Sequence, residues 1–365
     1  MGIQRRAVAL AVLGFNAACH EPASPPTALA ASGFSLSGET ACPIGPAAFT
    51  VTDEASLRAA LGAARSGDVI ALDGFVGVTT DVIIATDDLT LTCATPGSGI
   101  FPQAGAPVEW LVQVRASGVT VDRLVLDGSS LSGGPYIAGT NVVSEFIADR
   151  VRLTRNTVRC GRGECAFLAG TRGAIVTDNH FEAAGSGTGV HLQVGGDARQ
   201  IDGSRVERNT IVATAPSGAP VFGGIRLRDG SDVIVAGNVV RGPWSNAIAT
   251  TDLTASRFEN NRVEGATRFG IWLGAGASFV PVAMTKNLFR ANEATGAGGA
   301  GILASVACGN TFVGNNLEGN AGDVGAIFDA MTGANTFAGN RNVVLDNGDF
   351  DCDGDGATDP NVITG

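Results

Sequence analysis

Through most of this chain apolar residues recur in short alternating runs of three or four, not in helical stripes. The runs AIVTDNHF and VIVAGNVV are typical: Ile175, Val176 and Phe181, or Val233, Ile234, Val235 and Val240, flank a polar turn. Val, Ile, Phe and Thr bounded by Gly, Asn and Asp is strand-and-turn chemistry. The segments VRLTRNTV, AIVTDNHF, SRVERNTI, VIVAGNVV, SRFENNRV, VAMTKNLF, SVACGNTF and MTGANTF each carry one asparagine in the same setting. These are Asn156, Asn179, Asn209, Asn238, Asn261, Asn287, Asn310 and Asn335, spaced by 23, 30, 29, 23, 26, 23 and 25 residues. A period of that length marks a solenoid with one short structural unit per turn. Two residues after each asparagine stands an apolar residue (Val158, Phe181, Ile211, Val240, Val263, Phe289, Phe312 or Phe337), expected to point inward.

A second apolar column, anchored on Phe167, Val190, Ile225, Ile248, Ile271, Ile302 and Ile327, repeats with a similar period. Each coil therefore holds at least two strands and a tight turn, and a third strand completes the circuit. The pattern predicts an all-β, single-chain parallel β-helix of about ten coils, with equivalent strands stacked about 4.8 Å apart. Asparagine suits the bends because it tolerates the left-handed conformation, and stacked amides can hydrogen-bond along the axis as a ladder.

These repeats resemble the right-handed parallel β-helix proteins of the pectin-lyase-like superfamily over roughly residues 46–345. SLRAALGAARSGDVIALDG resembles that superfamily's opening segment, an amphipathic helix followed by a Gly-Asp turn and the first strand. Leu57, Ala60, Leu61 and Ala64 share one helical face, and the helix is expected to cap the first coil. DDLTLTC and GVTVDRLVLDG look like early coils, with Leu124 where later coils carry Asn. The resemblance implies a fold but no single activity, because the fold hosts lyases, hydrolases, epimerases, adhesins and inert scaffolds.

Composition sets the compartment and the partners. The chain has 52 glycines, a 44% hydrophobic fraction and few charges at 16%. Its net charge of −11 argues against nucleic acid and anionic membrane as general partners. Residues 1–18 read as an export signal, with Arg5 and Arg6, an apolar core and Ala17-Ala18. Cys19 follows in a setting that resembles a bacterial lipoprotein cleavage site, although Asn16 departs from the usual apolar residue. A lipid on Cys19 would be the sole membrane contact. The protein would then sit on an envelope surface; without the lipid it would be periplasmic or secreted. Residues 19–45 read as a flexible linker. Six further cysteines suggest disulfides: Cys160 with Cys165 as a local loop, Cys42 with Cys93, and Cys308 with Cys352. Zinc is the competing reading, and three histidines fit it badly.

With Val190, Ile225, Ile248 and Ile271 inward, strand alternation turns His191, Arg226, Ala249 and Trp272 outward. Gln193, Arg228, Thr251 and Gly274 come two residues on, with Asp229 and Asp252 at the edge. The segments EAAGSGTG, ATAPSGAPVFGG, RGPWSN and RANEATGAGGA read as loops walling this face, bringing Trp244 to it. Sugar rings stack on Trp, Arg pairs with uronate carboxylates, and amides and hydroxyls bind ring hydroxyls. The expected job is to bind or process an extended, acidic polysaccharide. His191, Arg226, Arg228 and Asp229 are the catalytic candidates; Gln193, Trp244, Thr251, Asp252 and Trp272 are the binding ones. A lyase needs a base and a group to neutralise the uronate carboxylate; Asp229 and Asp252 are not marked as a hydrolase pair. Lys286 and His180 fall on other faces, and Tyr136 in an early loop. The alternative is a noncatalytic adhesin or structural glycan-binding protein.

Residues 346–365 form an Asp-rich tail. Asp351, Asp353 and Asp355 alternate, then Gly356, Ala357 and Asp359 follow, which resembles the first nine positions of a calcium loop. Val362 stands where an EF-hand has its bidentate Glu, so weak calcium binding is expected.

Overall fold

The computed structural model describes residues 41–42, 45–131, 140–144, 148–161, 163–184, 187–193, 200–214, 223–274 and 284–364. They belong to one compact unit, Glu39–Gly365. Tyr136, Cys19, the export signal and most of the linker lie outside the described residues.

Successive strands fall in turn on three sheets of 13, 11 and 9 strands, and each strand pairs with its equivalents one coil before and after. Pairing is parallel throughout these sheets; Asp349–Phe350 with Asp359–Pro360 is a small antiparallel ribbon. This is a parallel β-helix. Thirteen strands in the longest stack exceed the ten coils expected from the repeats, because the early coils lack the asparagine signature and the last coil, opened by Asn361, lies in the Asp-rich tail. The last of these, Val362–Thr364, pairs with Thr336–Ala338, so the Asp-rich tail returns to the solenoid instead of leaving it.

The opening helix, Glu54–Ala63, starts at Asp53, whose carboxylate accepts from the Ser56 amide in a reciprocal capping box. Leu57 and Ala60 are buried in the first coils, and Leu61 and Ala64 pack against the same core. The three disulfides join Cys42 to Cys93, Cys160 to Cys165 and Cys308 to Cys352, the pairing expected from the sequence.

Asn209, Asn238 and Asn261 stand in a row, as the repeat requires, but the eight asparagines divide between two seams. One seam runs from Asn156 through Asn179, Asn209, Asn238 and Asn261 to Asn292, Asn315 and Asn340. Each backbone N–H donates to the next amide oxygen at 2.8–3.1 Å. Each Nδ2 donates both to that same oxygen and to a carbonyl of the preceding coil, for example Asn238 to Asn261 Oδ1 and Val206 O. The amide's donors and acceptors are all used. Asn287, Asn310 and Asn335 belong to the second seam, which ends at Asn361. Earlier coils fill that seam with serine: Ser204 accepts from Ala174 N–H and Ser256 from Val233 N–H. The seams are five residues apart, on either side of one three-residue strand, so NLFRAN, NTFVGN and NTFAGN carry both.

A second correction concerns the bend. The left-handed residue is the one before the asparagine: Arg155, Asp178, Arg208 and Asn260 have φ of 57°, 60°, 54° and 54°. The asparagine is needed for its amide, not its backbone. The apolar positions two residues on are all buried, those after the first seam in the 9-stranded sheet and Phe289, Phe312 and Phe337 in the 13-stranded one. Phe258, Phe289 and Phe312 form a continuous ring stack at 4.5 and 4.8 Å.

Candidate functional site

The outer face of the 11-stranded sheet gathers most of the expected residues. Register places Phe167, His191, Arg226, Ala249, Trp272, Leu303 and Ile327 in one outward column. Val190, Ile225, Ile248, Ile271 and Ile302 stack inward as expected. Phe167 and Ile327, aligned by sequence with that inward column, are outward; Ala166 and Ala326 hold the inward positions, one residue earlier, because AFLA and GAIF are apolar on both faces. The next outward column aligns Arg228, Thr251 and Gly274. Gln193, beside Ala169, lies at the same level of the sheet. Glycines lead into these strands because the coils approach closely there. A Cβ on Gly189 or Gly270 would lie 2.5 or 2.7 Å from the carbonyl oxygen of Gly224 or Gly301 on the next coil.

His191 is the best-organised group. Its Nδ1 lies 2.8 Å from Glu164 Oε1, with only 4% and 9% of the two side chains exposed. The Phe167 ring meets the imidazole edge-on at 5.0 Å. Nε2 has no hydrogen-bond partner. Glu164 escaped the sequence reading because it lies in the Cys160–Cys165 loop, off the strand; the one signal was its place beside the second cysteine of a short disulfide loop. Arg226 and Arg228 are half-buried outward residues. Burial, then repulsion from Arg228, lowers the Arg226 pKa, while Glu164 opposes the shift. Burial raises Asp229 above the usual carboxylate range, opposed by the charge of Arg228.

Asp229 and Asp252 occupy the same corner on consecutive coils, each left-handed, with φ of 59° and 56°. Trp272 is half-buried, its ring lying over Gly274, and its Nε1 donates to Ser305 Oγ at 3.4 Å. Trp244 is not in the groove. It is fully buried in the main core, and its Nε1 donates to Arg241 O at 3.0 Å. An indole in a Gly-Pro-flanked loop reads as a sugar platform, but the space beside Gly224 takes it inside. The segment RANEATGAGGA is likewise not simply a loop: Glu293–Thr295 is a strand of the 9-stranded sheet. EAAGSGTG and ATAPSGAPVFGG lie partly outside the described residues. His180, paired with Glu182 at 3.0 Å, belongs to the 9-stranded sheet, and Lys286 to a left-handed bend with φ of 56°.

Buried polar atoms without partners concentrate on this sheet. Trp110 Nε1, both amide atoms of Gln113, His191 Nε2, Arg228 Nε, Asn246 Oδ1 and Thr251 Oγ1 all belong to its strands. Among the described residues, only Thr92 Oγ1 and Arg123 Nε outside this sheet and its loops share that state. Gln113, three coils before His191 in the same outward column, was not anticipated.

In the tail, carboxylate oxygens of Asp351, Asp353 and Asp359 come within 4.8 Å of one another. Asp351 accepts from the Gly354 and Gly356 amides, and those backbone bonds hold its carboxyl below the usual range. Asp355 is outside the trio and accepts from Ala357 N–H at 2.8 Å.

The three parallel coiled sheets define a β-helix protein. The model of the right handed beta helix region matches residues 164–350, and the chain belongs to that family. Among solved structures, the chain is similar to ORF18 of Geobacillus virus E2, at 11% identity and a TM-score of 0.58, covering 76% of this chain and 56% of that one. It is also similar to PfbA, a surface adhesin of Streptococcus pneumoniae, at 10% identity and a TM-score of 0.54, covering 78% and 79%. A third is the PL6 family polysaccharide lyase of Pseudopedobacter saltans, at 13% identity and a TM-score of 0.50, covering 77% and 65%. The chain spans little more than half the length of the viral protein. No curated protein matches in sequence.

Proposed function

We propose that this protein binds an extended acidic polysaccharide along the outer face of the 11-stranded sheet, and acts on it by removing the proton beside a uronate carboxylate. The outward alignment of the half-buried Arg226, Arg228 and Trp272 on consecutive coils of that face, beside His191, carries the reading, because arginine pairs with carboxylates and an indole packs on a sugar ring. Arg226 and Arg228 would hold a carboxylate, Trp272 would pack against a sugar ring, Gln193, Thr251 and Asp252 would take hydroxyls, and His191 would take the proton, with Asp229 beside Arg228. A chain of net charge −11 repels polyanions in general, so binding must rest on this local arginine pair. The solved neighbours include a polysaccharide lyase, which is in keeping with this reading.

A second reading has its own support: an imidazole only 4% exposed fits a noncatalytic glycan-binding protein better than an enzyme, and one neighbour is a surface adhesin. The reaction product separates the two. A lyase releases an unsaturated uronate that absorbs in the ultraviolet, whereas a binder is only retarded in gels containing polygalacturonate or alginate. Migration unaffected by either polymer contradicts both readings.

Export, with lipid on Cys19, belongs to the same proposal and would put the site on an envelope surface. A calcium ion held by Asp351, Asp353 and Asp359, with Asp355 and the Ala357 carbonyl completing the loop, would fix the tail against the last coil. Calorimetric titration should show millimolar binding that Asp353→Ala abolishes; no heat in the wild type refutes the site.

A further inference from the structure

The Glu164–His191 pair has a feature that the proposed glycan reading does not require. A carboxylate only accepts hydrogen bonds, so a neutral His191 facing Glu164 at 2.8 Å must carry its proton on Nδ1. Nε2 is then a bare lone pair, and it is the imidazole atom without a partner. Burial of both side chains removes competing water and strengthens the bond. The two residues come from different coils, 27 positions apart. Glu164 is adjacent to Cys165, whose disulfide to Cys160 ties the loop back to the 9-stranded sheet. Cys165 is itself pinned from the other side, its N–H donating to Thr188 O of the next coil at 2.8 Å. Glu164 is thus held through its neighbour Cys165 by a disulfide and a coil-to-coil hydrogen bond, and at its carboxylate by the imidazole.

We propose that Glu164 is a positioning residue that fixes the His191 tautomer with Nε2 free to accept a proton, and that the Cys160–Cys165 disulfide holds it there. This rests on the glycan reading for its purpose but not for its test. In the forward step Nε2 takes the proton from the carbon next to the uronate carboxylate. That electron pair forms the new double bond to the adjacent ring carbon, C4, as the bond from C4 to the linking oxygen breaks, and the departing oxygen recovers a proton from the imidazolium.

The test reads the tautomer directly. The chain has three histidines, so nitrogen NMR of the full ¹⁵N-labelled protein near neutral pH can be assigned with His20→Gln and His180→Gln variants. The expected result is an unprotonated Nε2 and a protonated Nδ1 at His191. Glu164→Gln offers an amide N–H to Nδ1 and should move the proton to Nε2. Cys160→Ser with Cys165→Ser should yield a mixture of both forms. A protonated Nε2 in the wild type, or a tautomer indifferent to Glu164→Gln, overturns the assignment. Because Glu164→Gln could also perturb folding, far-ultraviolet circular dichroism and the unfolding midpoint are measured alongside. Glu164→Asp, which keeps the acceptor, should retain the wild-type tautomer; if it behaves like Glu164→Gln, the role is packing alone. With polygalacturonate and alginate as probes, Glu164→Gln should lose about 100-fold or more in turnover while gel retardation stays unchanged. A wild type that shows the tautomer yet binds neither polymer defeats the glycan reading and leaves the dyad standing.

Discussion

The asparagine seam and the outer face of the 11-stranded sheet are built from the same repeat and treat polar groups in opposite ways. Along the seam each amide is buried and hydrogen-bonded on every side, coil after coil. On the outer face buried amide, imidazole and hydroxyl atoms stand without partners, and identities change at every coil from Gln113 to Phe167, His191, Arg226 and Trp272. Regular, satisfied polarity is what stability requires of a solenoid. Irregular polarity on a stable scaffold is the feature on which the proposed glycan binding rests.

Mutations that break the contrast should rank in a definite order. Asn238→Ala interrupts the seam, removing the acceptor of the buried Asn209 N–H and a donor to the Val206 carbonyl, and should cost about 2–5 kcal/mol by urea unfolding. Asn287→Ser in the second seam should cost only about 1 kcal/mol, since Ser204 and Ser256 already do the same job. On the outer face the sign should reverse: Gln113→Met removes two unpartnered buried atoms and should stabilise by about 1 kcal/mol. The smallest effect belongs to the solvent-facing ion pairs. Arg208 donates to Asp178 at 2.7 Å and, despite opposing desolvation, lowers its pKa. The pair therefore stabilises above the unfolded carboxylate pKa and is lost as pH falls through the lowered folded value. Arg208→Ala should cost about 0.2–1 kcal/mol at neutral pH, with its difference from wild type vanishing in acid.

Repetition decided what could be read from the chain. A residue that recurs at every coil announces its environment, so the solenoid, the inward Val190–Ile225–Ile248–Ile271 stack and the outward His191, Arg226 and Trp272 were all legible. The errors arose where one signal served two structures. The N-x4-N spacing merged two seams into one, and apolar runs such as AFLA hid which face Phe167 takes. Glu164 and Gln113 were invisible for the opposite reason. Each occurs once, one on a disulfide loop and one on a strand without the asparagine signature, and only three-dimensional register brings them to His191's column. Trp244 shows the limit of reading by residue type, since the same indole serves a core or a sugar, and the room beside Gly224 decides.

Affinity electrophoresis in a polygalacturonate or alginate gel tests the central claim most directly. Arg226→Gln with Arg228→Gln should abolish retardation, whereas Arg152→Gln with Arg257→Gln, exposed on the 13-stranded sheet, should migrate like wild type. Equal retardation of all three proteins would contradict the account, because the polyanion would then be held somewhere other than this face.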